Sequence, residues 1–392
     1  MKKENEIKTV VPTLRFSEFQ DTEGWKEYKL KSLCKIGNGK DYKHLDSGNI
    51  PLYGSGGYMT SVDDFLYDGE SVCIGRKGTI DKPIFLTGKF WTVDTLFYTH
   101  SFHNCLPQFL YLIFQQINWY KYNEAGGVPS LSKTTIGEIN VFVPVGKKGE
   151  LNEQQKIVDC IFSLDELIEA TTQKVKALEK HKKGLMQRLF PAEGKNVPDL
   201  RFPEFQGTQV WVDTILETVA DYENGKAHEN EIDEEGDFIV VNSKFISTDG
   251  EVVKRTNTPY CLADKEDILM VLSDVPNGRA IAKCFFVDQS GKYTVNQRIC
   301  RLRSKNVNSK LLFYLINRNP YFLSFDDGVK QTNLKKSEVL ECPLMIPSSP
   351  IEQQKIANLL SSIDDLIIAT ERKIKLLEKH KKGLMQQLFP KI

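Results

Sequence analysis

Nowhere in the 392 residues does an apolar run reach the roughly eighteen needed to cross a bilayer, so no membrane-spanning helix is expected. The opening Met-Lys-Lys-Glu-Asn-Glu-Ile-Lys is charged and lacks the apolar stretch of a secretory signal. There is no Cys-x-x-Cys pair: Cys34, Cys73, Cys105, Cys160, Cys261, Cys284, Cys300 and Cys342 stand apart and read as reduced, mostly buried small hydrophobes. Together these absences predict a cytoplasmic protein. Net charge is also missing, with 52 basic against 52 acidic residues. A neutral chain that binds nucleic acid must segregate its charge or borrow positive surface from partners, because phosphate neutralisation supplies most non-specific affinity.

Signatures of catalysis are equally scarce. The chain has no Gly-x-x-x-x-Gly-Lys-Ser/Thr loop, no dinucleotide fingerprint and no Pro-Pro dipeptide of the kind found at amino-methyltransferase sites. His100 and His103 are three apart but have no cysteine or acidic companion, so no metal site is expected. Intrinsic catalysis is not expected either.

What the sequence does contain is a repeat. Val11-Pro12-Thr13-Leu14-Arg15-Phe16-Ser17-Glu18-Phe19-Gln20 returns as Val197-Pro198-Asp199-Leu200-Arg201-Phe202-Pro203-Glu204-Phe205-Gln206, with Trp25 and Trp211 in register. Glu153-Gln154-Gln155-Lys156-Ile157 returns as Glu352-Gln353-Gln354-Lys355-Ile356, and the ten residues Leu178–Gln187 recur unchanged as Leu377–Gln386. The stretches between are only weakly alike: Trp91-Thr92-Val93-Asp94 echoes Tyr293-Thr294-Val295-Asn296, and Leu131-Ser132-Lys133 echoes Leu334-Lys335-Lys336. One frame is kept twice around different contents. The expected domains are residues 1–150, a helix over 151–191, a second domain over 192–348 and a second helix over 349–392.

The constant segments carry a heptad stripe. Ile157, Ile161, Leu164, Ile168, Val175 and Leu178 alternate at spacings of four and three, with Thr171 filling one place. Ile356, Leu360, Ile363, Ile367, Ile374 and Leu377 do the same, with Thr370. That pattern predicts coiled-coil helices of roughly 55–60 Å. Start signals are Asn152 with Gln155 three on, and Ser349-Pro350 with Glu352. Stops are Pro191 and Pro390. Two such stripes in one chain are expected to pack antiparallel on each other, as a rod with a domain at each end; the competing arrangement pairs each with another chain. Lys182 and Lys381 interrupt the stripe, where a cation fixes register or reaches solvent.

The variable domains show short apolar strand-like runs and one helix each, near 107–119 and 309–317, an α+β pattern. In the first, Tyr53-Gly54-Ser55-Gly56-Gly57-Tyr58 precedes Gly75-Arg76-Lys77-Gly78-Thr79. In the second, Asn242-Ser243-Lys244, Asn277-Gly278-Arg279 and Asn296-Gln297-Arg298 stand out. Glycine lets backbone approach a ligand, Arg suits guanine, and Asn or Gln suits adenine. The candidate DNA-binding residues are therefore Lys40, Lys43, Tyr53, Ser55, Gly56, Tyr58, Arg76, Lys77 and Thr79 in the first domain. In the second they are Asn242, Ser243, Lys244, Asn277, Arg279, Asn296, Gln297 and Arg298. An acidic run, Glu229 to Asp237, reads as a solvated loop facing away from DNA.

With its paired Leu-Arg-Phe openings, its Gln-Gln-Lys-Ile helices ending in Leu-Phe-Pro, and Gly-Ser-Gly-Gly followed by Gly-Arg-Lys-Gly-Thr, the chain resembles the specificity subunits of type I restriction-modification systems. The resemblance covers essentially the whole length. It implies two tandem pseudo-symmetric α/β target-recognition domains separated by two long antiparallel coiled-coil helices. It further implies a non-catalytic subunit that binds double-stranded DNA, each domain reading one half of a bipartite asymmetric site. Two methyltransferase (modification) subunits would dock on the helices, joined by restriction/translocase subunits. S-adenosylmethionine, ATP and Mg²⁺ are then expected on the partners and none on this chain. The second domain has Asn277-Gly278-Arg279-Ala280-Ile281 in place of a literal Gly-Arg-Lys-Gly-Thr. A coiled-coil adaptor without DNA specificity would explain the helices, but not two diverged domains sharing one frame.

Overall fold

The computed structural model describes residues 9–146, 151–192, 194–208, 210–276 and 278–390. Two compact units divide them, residues 1–173 with 372–392, and residues 174–371. The long helices Asn152–Leu189 and Pro350–Leu388 each contribute one part to one unit and the remainder to the other.

Inside the first unit lie two four-stranded sheets. One runs Lys35–Asn38, Leu96–His100, Ser71–Gly75, Ile84–Leu86; the other runs Gly57–Val62, Ser47–Gly54, Lys89–Thr92, Tyr67–Asp68. The second unit repeats both orders, as Ala220–Asn224, Ile299–Ser304, Ile268–Val271, Cys284–Phe286 and as Arg255–Thr256, Phe238–Val241, Tyr293–Val295, Leu262–Ala263. Even the single parallel pairing recurs, Ser47–Gly54 beside Lys89–Thr92 and Phe238–Val241 beside Tyr293–Val295. The apolar runs Ser71–Gly75 and Ile268–Val271 are buried at every position, which is why they read as continuous rather than alternating. The short helices Pro107–Gln116 and Ser309–Ile316 close the cores with Phe109, Leu110 and Ile113 in one, and Leu311, Leu312 and Ile316 in the other.

The repeated openings and helix starts hold each other. Arg15 grips both carboxylate oxygens of Glu153 at 2.7 Å, and its remaining donors reach Thr22 and the carbonyl of Glu23. Trp25 Nε1 donates to the same carboxylate at 3.0 Å. Arg201 grips Glu352 at 2.7 and 2.8 Å in the same way. Buried Gln154 then stitches the helix start to the carbonyls of Asn104 and Pro144 and to the Leu106 N–H; Gln353 does so at Pro347 and Asn308. Lys156–Glu18 and Lys355–Glu204 add exposed ion pairs. The opening segments also meet the end of the other helix, Leu14 N–H donating to Gln387 O and Leu200 N–H to Arg188 O. The caps differ from the sequence signals. Asn152 lies inside its helix, where Gln155 bonds Asp159; Ser349 Oγ does accept from the Glu352 N–H at 3.4 Å, as the start signal implies, but the Glu352 carboxylate serves Arg201 instead of closing a capping box.

Within each unit the helical parts run antiparallel. In the first, Ile157 and Ile161 pack in one core with Met385 and Leu388, while Lys381 reaches back to Asp165 at 2.6 Å. In the second, Leu189 shares a core with Ile356 and Leu360, and Lys182 pairs with Asp364. The two lysines on the heptad stripe are therefore interhelical ion-pair partners. Along the stripe Ile157, Ile161, Val175, Ile356, Leu360 and Ile363 are buried, and Leu164, Ile168, Leu178, Ile367, Ile374 and Leu377 are half-buried. No helix among the described residues is long and apolar enough to cross a membrane. Seven of the eight thiols are buried, and burial pushes Cys34, Cys73, Cys300 and Cys342 up to about 12.

The buried and exposed ion pairs should separate in a stability experiment. Glu153→Ala strands a buried guanidinium and is expected to cost about 3–5 kcal/mol. Lys156→Ala, at an exposed pair, should leave the urea midpoint nearly unchanged. Equal midpoints for the two variants would mean that the frame does not hang on the buried pair.

Candidate nucleic-acid interface

Each unit has a polar corner where the strand Lys89–Thr92 or Tyr293–Val295 ends. The corners are built from the same backbone bonds. Lys40 N–H donates to Thr92 O at 2.8 Å, and Lys226 N–H to Val295 O at 3.0 Å. Gly39 bonds Leu96 O where Gly225 bonds Ile299 O. Val93 donates to Tyr53 O where Asn296 donates to Val241 O, both at 3.0 Å. These bonds make Thr92 equivalent to Val295 and Val93 to Asn296. The sequence echo that aligned Thr92 with Thr294 is thus one residue out of register. Both glycines are demanded by close approach: a β-carbon on Gly39 would stand 1.8 Å from Val93 O, and one on Gly225 2.1 Å from Asn296 O.

In the first unit Arg76 and Lys77, both exposed, line a groove with Asn38, Asp94, Thr95 and Lys133. Arg76 is pinned through its backbone, its N–H to Thr95 O at 2.8 Å and its carbonyl accepting from Leu131 N–H at 2.8 Å. Its guanidinium is left free to reach outward apart from a 3.4 Å contact with Asp94 O. Ser55 lies beside the same turn, its Oγ 3.3 Å from where a β-carbon on Gly78 would be. Tyr53 and Tyr58 meet edge to face at 5.9 Å, and the Tyr58 hydroxyl bonds Ser61 Oγ at 3.1 Å. Lys40, Lys43, Tyr53, Ser55, Gly56, Tyr58 and Thr79 are not among the residues lining that groove.

In the second unit one groove gathers Asn242, Ser243, Lys244, Asn296, Gln297 and Arg298. Asn242 caps the helix Ser243–Ser247 through its Oδ1, and among the described residues Ser243 Oγ is buried without a hydrogen-bond partner. Asn277 lies outside the described residues. Arg279 is exposed in a loop held by the Asp274 carboxylate, which accepts from the N–H groups of Val275, Ala280 and Ile281. It is not among the residues that line the groove.

The counterpart of Arg76 is not Arg279. Leu272 N–H donates to Arg298 O at 2.9 Å and its carbonyl accepts from Leu334, so Leu272 holds the place of Arg76 and Arg298 that of Thr95. Each corner carries one guanidinium on this backbone pair, but on opposite strands. Gly278 and Arg279 belong to a longer stretch between the strand Ser273–Asp274 and Ile281, where the first unit has Gly78 and Thr79. In the acidic run, Glu229 and Ile232 line the groove rather than facing away from it, and Glu229 Oε1 accepts from Gln297 Nε2 at 3.0 Å. Sequence reasoning also missed Lys133, Lys226 and Lys254. Lys226 was open to discovery, since Asn38-Gly39-Lys40 recurs as Asn224-Gly225-Lys226.

These corners can offer cations, carboxamides and hydroxyls to a polyanion with readable edges. Among the described residues no group of three His, Cys, Asp or Glu is placed to hold a metal ion. The type I restriction modification DNA specificity domain matches the chain twice, over residues 22–180 and 209–379. A putative type I restriction enzyme MjaX specificity subunit of Methanocaldococcus jannaschii is 24% identical over 406 residues, covering 99% of this chain and 88% of the relative. The MjaVIII specificity subunit of the same organism is 24% identical over 351 residues, with 83% and 77% covered. The crystal structure of a type I restriction-modification S subunit from M. genitalium shares the fold, with a TM-score of 0.68 at 14% identity over 98% of this chain and all of that one. With both repeats matched and the fold shared, the chain belongs to the type I restriction-modification DNA specificity family.

Proposed function

We propose that each unit reads one half of a bipartite, asymmetric duplex DNA site through its polar corner. The paired helices set the distance between the halves and dock two methyltransferase subunits, to which restriction/translocase subunits add. The observation that carries this reading is the pair of corners: one backbone scaffold, built twice, bearing different side chains. Arg76 and Lys77 in the first suit guanine-rich edges, and Asn242, Asn296, Gln297 and Arg298 in the second add carboxamides suited to adenine. A scaffold protein would have no use for that divergence on a kept frame. This chain supplies specificity and its partners the chemistry, with S-adenosylmethionine, ATP and Mg²⁺ held by them in the cytoplasm. Its zero net charge fits a subunit whose partners share the phosphate clamping.

Methylome sequencing of cells expressing the complex tests the reading. Exchanging residues 30–139 for those of a homologue leaves Arg15 and Glu153 in place and is expected to change one half of the methylated motif; a change in both halves sinks the two-reader scheme. Arg76→Ala should relax discrimination in one half only and Arg298→Ala in the other, by about 1–3 kcal/mol at the affected position. Loss confined to the same half in both variants would count against it. Matched insertions of four residues after Lys174 and Lys373 keep the Lys381–Asp165 and Lys182–Asp364 pairs within their own units. They should lengthen each helix by about 6 Å, close to two base-pair steps. An unaltered spacer would remove the helices as the ruler.

A further inference from the structure

We propose that Lys40 and Lys226 are equivalent phosphate anchors, making the same sequence-independent contact in each half-site. The inference rests on the DNA reading above and assigns to one residue of each corner a role different from its neighbours'. At these corners the side chains on matched backbone positions differ between the units: exposed Asp94 and half-buried Thr95 stand against exposed Gln297 and Arg298, and exposed Arg76 against buried Leu272. The tripeptide Asn-Gly-Lys does not differ. Its backbone is held on both sides in both units. The lysine N–H groups bond Thr92 O and Val295 O. The lysine carbonyls accept from Trp91 Nε1 at 3.0 Å in one unit and from the His228 ring at 2.7 Å in the other. His228 Nε2 lies 3.0 Å from Thr294 Oγ1. A tryptophan and a histidine from different places in the chain thus secure the same carbonyl.

Such effort fixes the point from which the lysine side chain departs, while both ammonium groups stay exposed. Among the described residues neither is engaged in an ion pair. Two readers of unlike sequences share only one feature of their targets, the sugar–phosphate backbone. A compact ammonium on a flexible stem suits a phosphate, whereas the guanidinium and carboxamide forks beside it suit base edges. The kept residue is therefore assigned to the constant part of DNA and the exchanged residues to the variable part.

Salt titration separates these roles. Affinity of the full chain is measured by fluorescence anisotropy across salt concentrations, on a duplex carrying its motif and on one with a scrambled half. Lys40→Ala and Lys226→Ala are each expected to lower the slope of log K against log[salt] by about 0.9, an about eightfold loss at 0.1 M relative to 1 M salt. The loss should be the same on both duplexes, the methylated motif should be unchanged, and Lys→Arg should restore the slope. Arg76→Ala and Arg298→Ala should instead weaken the motif duplex selectively. A slope unmoved by the lysine variants, with an unchanged thermal midpoint, overturns the assignment, as does a loss restricted to the motif duplex. If the wild-type chain binds both duplexes alike, the base-reading scheme fails while the slopes still judge the lysines.

Discussion

Glutamate at the start of each long helix, clasped by an arginine from the opening segment, is the interaction on which the rest of each unit depends. Arg15–Glu153 and Arg201–Glu352 are buried, bidentate pairs joining residues 138 and 151 apart in sequence. Taking two charges out of water is costly, so such a pair persists only where the remaining donors are met. Arg15 meets its own at Thr22 and Glu23, and Trp25 supplies a third donor to the carboxylate. In the second unit, among the described residues, Trp211 Nε1 is buried without a partner, so the duplicated clasp is not copied atom for atom. Around the clasp sit the glutamines that tie the helix start to neighbouring loops, and the opening segments that bond the end of the other helix.

The helices impose a second constraint. Two stripes rich in Ile and Leu can pack in several registers with similar burial, and a polar residue on the stripe is the usual device for choosing one. Lys381 on Asp165 and Lys182 on Asp364 do this symmetrically, one pair in each unit. Their neighbours on the stripe supply the apolar burial, and the lysines supply the alignment.

Upon this frame the corners are free to differ. Backbone bonds from Gly39, Lys40 and Val93, or from Gly225, Lys226 and Asn296, keep the scaffold constant without using side chains. Side chains can therefore be exchanged without disturbing the fold. The guanidinium that stands at Arg76 in one unit has moved to the facing strand, at Arg298, in the other. Side chains diverge at little cost where the scaffold's hydrogen bonds are main-chain.

Much of this was legible in the sequence: the duplication, the α+β class, the heptad stripes, the buried thiols, and six of the eight polar residues singled out in the second domain, which share one groove. Periodicity and repeated motifs record burial and local geometry, and both are written along the chain. Tertiary structure alone decided which residues are equivalent. It moved the strand echo by one position, put Leu272 rather than Arg279 where Arg76 stands, and brought Glu229 to the groove. Equivalence of that kind is set by hydrogen-bond register between strands distant in sequence, and a match of side-chain types cannot resolve a shift of one residue when the side chains themselves have diverged. The lone repeated Asn-Gly-Lys held the correct register, because there a glycine was required by another strand's carbonyl.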